Sequence, residues 1–248
     1  MKKRLLSALL ALALVFVLLP TTALAEVVTT NGDISIAGKC WNFTKSTSGY
    51  ETVYYQVQSN NGVFSTSLDN KTGCVWPTNP YLEITRTGNT ITVIVHNKVT
   101  ITTNKGTNNA AEECIEVNKS NNQTTTLNLV IKGAEGTTNN TLTLECKSYG
   151  SALSSYQGGI TITGGVTVNA KSTYTNSSTG VSARAINVFN GDLTISGTGT
   201  TVNAENKDRN HPTIDVKNAV TISDGATLTA KNTNGGKAIS CRSITADG

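Results

Sequence analysis

The sequence predicts an all-β protein: a right-handed parallel β-helix preceded by an irregular N-terminal β cap. Three observations carry that expectation. Short alternating apolar and polar segments recur in one fixed order through the C-terminal half of the 248 residues. Gly, Asn and Asp separate them, as tight turns require. Thr occurs 41 times and Asn 27 times, about a quarter of the chain together, and these residues suit pleated strands and turns respectively. A charged fraction of 15%, four prolines and one Met fit neither a coiled coil nor a multi-span membrane protein.

In chain order, residues 1–25 read as a secretory leader. Lys2, Lys3 and Arg4 precede an apolar run from Leu5 to Leu19, Pro20 breaks it, and Ala23-Leu24-Ala25 supplies the small residues of a cleavage site. The run, about 15 residues, falls short of the roughly 20 that span a bilayer. Cleavage is expected after Ala25, giving a protein that is secreted, extracellular or associated with the cell surface. The leader resembles those of Gram-positive, clostridia-like bacteria. Without it, 17 basic groups face 16 acidic ones. No basic stripe is left, and nucleic acid is not an expected partner.

Residues 26–90 do not repeat. They hold Trp41 and Trp76, five aromatics between Phe43 and Phe64, and Cys40 and Cys74. A solenoid needs its first coil covered, so this stretch is read as a cap, with a small separate β module as the alternative. Strands are expected at Tyr81–Ile84, Thr90–Val95 and Val99–Thr103, leading into repeats over 91–248.

The repeats decide the fold. Val166-Thr-Val-Asn-Ala-Lys-Ser172 aligns with Leu142-Thr-Leu-Glu-Cys-Lys-Ser148, and the same motif returns in Thr201–Glu205 and Thr227–Lys231. Its small residue falls at Cys146, Ala170, Ala204 and Ala230, at spacings of 24, 34 and 26. A second strand recurs at Ile160–Thr163, Leu193–Ser196 and Val220–Ser223. A third recurs at Ala185–Val188, Thr213–Val216 and Ala238–Cys241, with Cys114–Val117 as an earlier copy. An ordinary sandwich gives no reason for such unit-by-unit repetition, whereas stacked coils about 4.8 Å apart do. Propeller blades, at about 40 residues or more, are too long. Ile162, Ile195 and Ile222 should form one interior column, and Ala170, Ala204 and Ala230 another. Gly158-Gly159, Gly164-Gly165, Gly197, Gly199 and Gly225 mark corners. The sequence stops in mid-unit at Ile244–Gly248, which suggests a fragment of a longer chain, truncated at its C-terminus.

Cys146 and Cys241 take inward positions and read as small buried apolar side chains. A Cys40–Cys74 bridge, closing about 35 residues and contributing roughly 3–4 kcal/mol, is left open. No CxxC pair supports zinc or redox chemistry. His96 reads as a strand-end surface histidine and His211 as a turn residue. There is no GxSxG, HExxH or phosphate-binding loop. Asp192 and Asp224 are expected to hold their own turns by local hydrogen bonds. Glu205-Asn-Lys-Asp-Arg209 is the densest charge cluster of the repeats. Asp208 and Asp215 would be the residues to hold a Ca²⁺ ion, with Arg184 or Arg209 as a basic proton acceptor, as in β-helical polysaccharide lyases. Acidic residues do not recur on neighbouring coils as a cage of several oxygens prefers, so a solvated turn is favoured and no cofactor is expected.

Asn190-Gly-Asp-Leu-Thr-Ile-Ser-Gly-Thr-Gly199, with Val202-Asn-Ala204 and Lys237-Ala-Ile239, resembles the clostridial carbohydrate-binding β-helix family, similar in fold to pectate lyases. The resemblance covers residues 114–248 and implies binding of plant cell-wall polysaccharide. The Gly-Gly-Asp-Gly-Ile turns associated with that family's metal sites are missing from this sequence, and no site residue is carried over. Three functions are weighed: a secreted, non-catalytic binder of cell-wall or plant polysaccharide, a structural or adhesive surface solenoid, and a lyase-like enzyme. For the first, Tyr174, Arg184, Lys207 and Arg209 are the residues expected to meet a glycan on a shallow outer face.

Overall fold

The computed structural model describes residues 32–58, 61–66, 80–104, 112–118, 126–175 and 183–247. The leader at 1–25, Cys74, Trp76 and residues 176–180 of the insertion after Ser172 lie outside them. Every regular element among the described residues is a β-strand.

The N-terminal part is antiparallel. β1 (Ile34–Ile36) and β2 (Lys39–Trp41) form a hairpin through Ala37 and Gly38, and β3 (Lys45–Ser46) and β4 (Gly49–Tyr50) form a second. β5 (Val53–Gln58), β6 (Asn61–Thr66), β7 (Tyr81–Thr87) and β8 (Thr90–His96) lie in the order β6-β5-β7-β8. Alternation along them sends Val53, Tyr55, Leu82 and Ile84 inward, all buried. Tyr55 packs edge-on against Phe64 with ring centroids 4.9 Å apart. A Cβ at Gly62, diagonal to Tyr55 across the β5–β6 pair, would fall inside the Tyr55 ring, so only glycine fits there.

From β8 onward the pairing changes. β9 is Lys98–Thr103; then come β10 (Ile115–Val117), β11 (Asn128–Gly133) and β12 (Thr141–Cys146). The trio recurs as β13 (Leu153–Ser155), β14 (Ile160–Thr163) and β15 (Thr167–Ser172), and as β16 (Ile186–Val188), β17 (Leu193–Ser196) and β18 (Thr201–Asn206). It continues as β19 (Ile214–Val216), β20 (Ala219–Ser223) and β21 (Thr227–Asn232), followed by β22 (Ile239–Ser240) and β23 (Ser243–Ala246). Each strand from β8 to β20 pairs in parallel with the strand three elements later, which generates three parallel sheets of stacked strands. β1 lies antiparallel on the β10 edge, and β7 on the β8 edge.

Registers fix the interior. Ile131, Ile162, Ile195 and Ile222 are successive partners, as are Ala170, Ala204 and Ala230. Ile222, Ala230 and Cys241 are half-buried. One alignment needs correction. Leu144, not Cys146, pairs with Ala170, and Cys146 pairs with Ser172. The error is two residues, which keeps every side chain on its expected face. Two copies were also overlooked: β11 precedes β14 in its sheet, and β13 stands between β10 and β16.

The corrected register exposes a polar column inside the corner that follows β9, β12, β15, β18 and β21: Thr103, Cys146, Ser172, Asn206 and Asn232. Asn206 is fully buried and donates from Nδ2 to the carbonyls of Ala183, Asp208, His211 and Pro212, while its Oδ1 accepts the Asp208 amide at 3.0 Å. Asn232 does the same one unit on, donating to Asp208 O at 2.8 Å and His211 O at 3.1 Å. Loop backbone groups that face the interior need partners, and these amides supply them. At the opposite corner, Gly164 and Gly165 take φ of 68° and 69°, and Asp224 and Gly225 take 56° and 74°, conformations that glycine adopts freely. The Asp192 Oδ1 accepts the Ala219 amide of the next unit at 3.0 Å and so ties two units together.

Candidate functional site

The connections from the polar corner back to β13, β16 and β19 gather the residues singled out above. Backbone hydrogen bonds continue the strand ladder past its end, from Thr173 N to Cys146 O at 2.9 Å and from Lys207 N to Ser172 O at 3.2 Å. Lys147, Thr173 and Lys207 therefore form an outer row, with Tyr174 immediately beyond it. The Tyr174 ring packs on Tyr149 of the preceding unit, centroids 4.4 Å apart and tilted by 48°. Lys207 and Arg209 are exposed in the following loop.

Arg184 is not a free cation. Its Nε lies 2.8 Å from Asp215 Oδ2, a pair that ties two successive units. Asp208 is buried at 3% exposure and fully occupied: Oδ1 accepts the Asn210 amide at 2.9 Å, and Oδ2 lies 2.8 Å from His211 Nδ1. The two carboxylates considered for Ca²⁺ thus serve different partners. Among the described residues no group of three or more His, Cys, Asp or Glu side chains is arranged to hold a metal ion. What the corner offers is a pair of tyrosine rings and, in the loop of the following unit, two exposed cations. That combination suits stacking and charge-assisted hydrogen bonding to an extended acidic or hydroxyl-rich ligand.

Two further features escaped the sequence. The Arg86 guanidinium lies over the Tyr50 ring at 4.5 Å and its Nη1 contacts Asp33 Oδ2 at 2.6 Å. Tyr50 and Arg86, with Lys45 and Gly88, bound an open cleft of about 470 Å³. On β7 and β8, Tyr81 stacks on His96 with centroids 4.3 Å apart and planes 11° from parallel, and His96 Nε2 lies 3.0 Å from Glu83 Oε2. Both features depend on residues far apart in sequence or alternating on paired strands, so the signal was the aromatic content of this stretch and no motif. No helix among the described residues is long and apolar enough to cross a membrane. Compared with protein-family models, curated proteins and solved structures, the chain matches none.

Proposed function

We propose that this chain is a secreted, non-catalytic carbohydrate-binding protein whose three parallel sheets form a right-handed parallel β-helix with the antiparallel strands as its N-terminal cap. The fold reading is supported by the constant step of three strands between partners and by interior columns such as Ile131–Ile162–Ile195. The observation that carries the functional reading is the Tyr149–Tyr174 ring pair, with Lys207 and Arg209 exposed in the corresponding loop of the following unit. The interior is filled by side chains, so a ligand would lie on the outer face, along the corner. The expected ligand is an acidic cell-wall or plant polysaccharide, in line with the resemblance of Asn190–Gly199 to the clostridial carbohydrate-binding β-helix proteins. The leader at 1–25 supports an extracellular or cell-surface location.

The test is a glycan array followed by native affinity electrophoresis. Wild type should be retarded by a polyuronide gel, and Tyr174→Ala and Lys207→Ala/Arg209→Ala should each run faster there while keeping the wild-type far-UV spectrum. Equal mobility of all three proteins in every gel that retards wild type would remove this corner from consideration. A structural or adhesive solenoid is favoured by one observation: the outward column Glu145–Lys171–Glu205–Lys231 alternates in sign and neutralises itself. Wild type that no glycan retards would point to that reading.

A further inference from the structure

Thr103, Cys114, Cys146 and Ser148 form a buried cluster where β12 ends and β10 begins. Both cysteines are at 0% exposure. Each thiol shifts the pKa of the other, that of Cys114 upward and that of Cys146 downward. Thr103 Oγ1 lies 3.8 Å from Cys114 Sγ and 3.5 Å from Ser148 Oγ, which in turn is 3.3 Å from Cys146 Sγ. Cys146 Sγ also reaches Gly150 O at 3.1 Å and Glu112 O at 3.4 Å. The sister positions make this pairing particular to one unit. Ser172 and Asn206 follow Cys146 in its column, and the residues that stand before β13 and β16, where Cys114 stands before β10, are Ala152 and Ala185. Among the described units, two cysteines therefore occur at these first and last interior positions in this unit alone.

We propose that Cys114 and Cys146 are a dithiol site that closes to a disulfide, locking the start of β10 to the end of β12. A polar corner elsewhere in the stack is held by asparagine amides; here a covalent bond would replace them. The bond would span the whole β10–β11–β12 unit, so that unit could not unwind while it is intact.

The oxidant is a disulfide, either glutathione disulfide or the active-site disulfide of a thiol oxidoreductase. The Cys146 thiolate attacks one sulfur of it and releases one thiolate. Cys114 then loses its proton, attacks the Cys146 sulfur of the mixed disulfide, and releases the second. Two protein thiols lose two electrons and two protons, and the oxidant leaves as two thiols. The order of attack follows from the surroundings. The Cys114 thiol pulls Cys146 down to about 6 against the opposing effect of burial, while burial pushes Cys114 well above the ordinary thiol range. Because both sulfurs are buried, exchange belongs to folding or to local opening of the corner.

The test refolds the full chain from denaturant in a glutathione redox buffer. Peptide mapping by mass spectrometry should then find a Cys114–Cys146 bridge, lighter by two hydrogens than the two thiol peptides. Reducing it should lower the thermal midpoint by roughly 5–15 °C, the shift expected when a loop of this size is released in a domain of this length. Cys114→Ala and Cys146→Ala should give the same midpoint with and without reductant. Both thiols still alkylated by a maleimide after denaturation of the refolded protein would overturn the proposal, and so would a bridge mapping to Cys40, Cys74 or Cys241. The wild-type measurement decides the matter even if a variant fails to fold. It is also independent of glycan binding.

Discussion

The antiparallel strands before β8 and the parallel strands after it solve the same problem by opposite means. Both must bury apolar side chains on one face of each strand. In the first region that burial is built from unlike pieces: Trp41 against Phe64 at 5.4 Å, Tyr55 against Phe64, and a glycine cleared for the Tyr55 ring. Each contact occurs once. In the second, one aliphatic position is repeated down a column, and the stack grows by copying it. The difference teaches where the molecule tolerates change. A unique aromatic contact fails alone, whereas a column position fails through both of its neighbours.

The largest expected effect is the introduction of a charge into such a column. Ile195 lies between Ile162 and Ile222 at 0% exposure. Ile195→Asp would bury an unpaired carboxylate at a cost of many kcal/mol if ionised, and the chain should fail to give soluble protein with a β-sheet far-UV spectrum. Phe189→Asp, at a position within the stack that is 58% exposed, should fold normally. Equal behaviour of the two variants would dissolve the distinction between interior column and outer surface.

Next comes the aromatic contact. Tyr55→Ala removes a side chain with 1% exposure, and loss of a buried large side chain costs about 3–5 kcal/mol. Stacked units are stabilised mainly by nearest neighbours. The N-terminal strands should therefore melt ahead of the stack, with near-UV signal lost at lower temperature than far-UV signal. A single transition in both signals would show that β1 on β10 and β7 on β8 fuse the two regions into one cooperative unit.

Smaller still is the polar corner. Asn206→Ala takes this donor from the Ala183 and Pro212 carbonyls, while Asn232 still serves those of Asp208 and His211; the effect, worth about 1–3 kcal/mol, is read as a lower denaturation midpoint. Ser172→Ala in the same column should change stability by less than about 0.5 kcal/mol or raise it, because the Ser172 hydroxyl is buried without a hydrogen-bond partner among the described residues. This column was the part of the fold least legible in the sequence. Alternation gave the correct inward face for Leu144 and Cys146, but a strand of period two aligns equally well with itself after a shift of two. The information that breaks the tie lies in the flanking turn, where Asn140 accepts the Asn97 amide at 3.2 Å and donates to Ala134 O at 3.1 Å, and single asparagines carry no readable pattern. β13 was overlooked because Leu153-Ser-Ser155 has lost the second apolar residue that Ile186 and Val188 supply. Of the candidate site, the corner was legible from charge and loop length. The partners were not: that Arg184 would be held by Asp215 and Asp208 by His211 follows only once the units are stacked.

The smallest effect tests the outer surface, where the repeat produces a column of alternating charge. Lys171 Nζ lies 3.1 Å from Glu205 Oε1, with side chains 39% and 36% exposed. Water and salt screen such a pair, so a double-mutant cycle with Lys171→Ala and Glu205→Ala should give a coupling of about 0.2–1 kcal/mol, decreasing as salt is raised. Reversal is more informative than removal. Lys171→Glu would set a third carboxylate directly between Glu145 and Glu205, one strand spacing from each along the sheet. Directly opposed like charges are destabilising by up to about 1 kcal/mol per pair. The variant should lose stability at low salt and recover most of it at high salt. Recovery would mark the alternation as an electrostatic feature of stacking. Loss of stability that salt does not relieve would place the contribution of Lys171 in the packing of its aliphatic stem against the sheet.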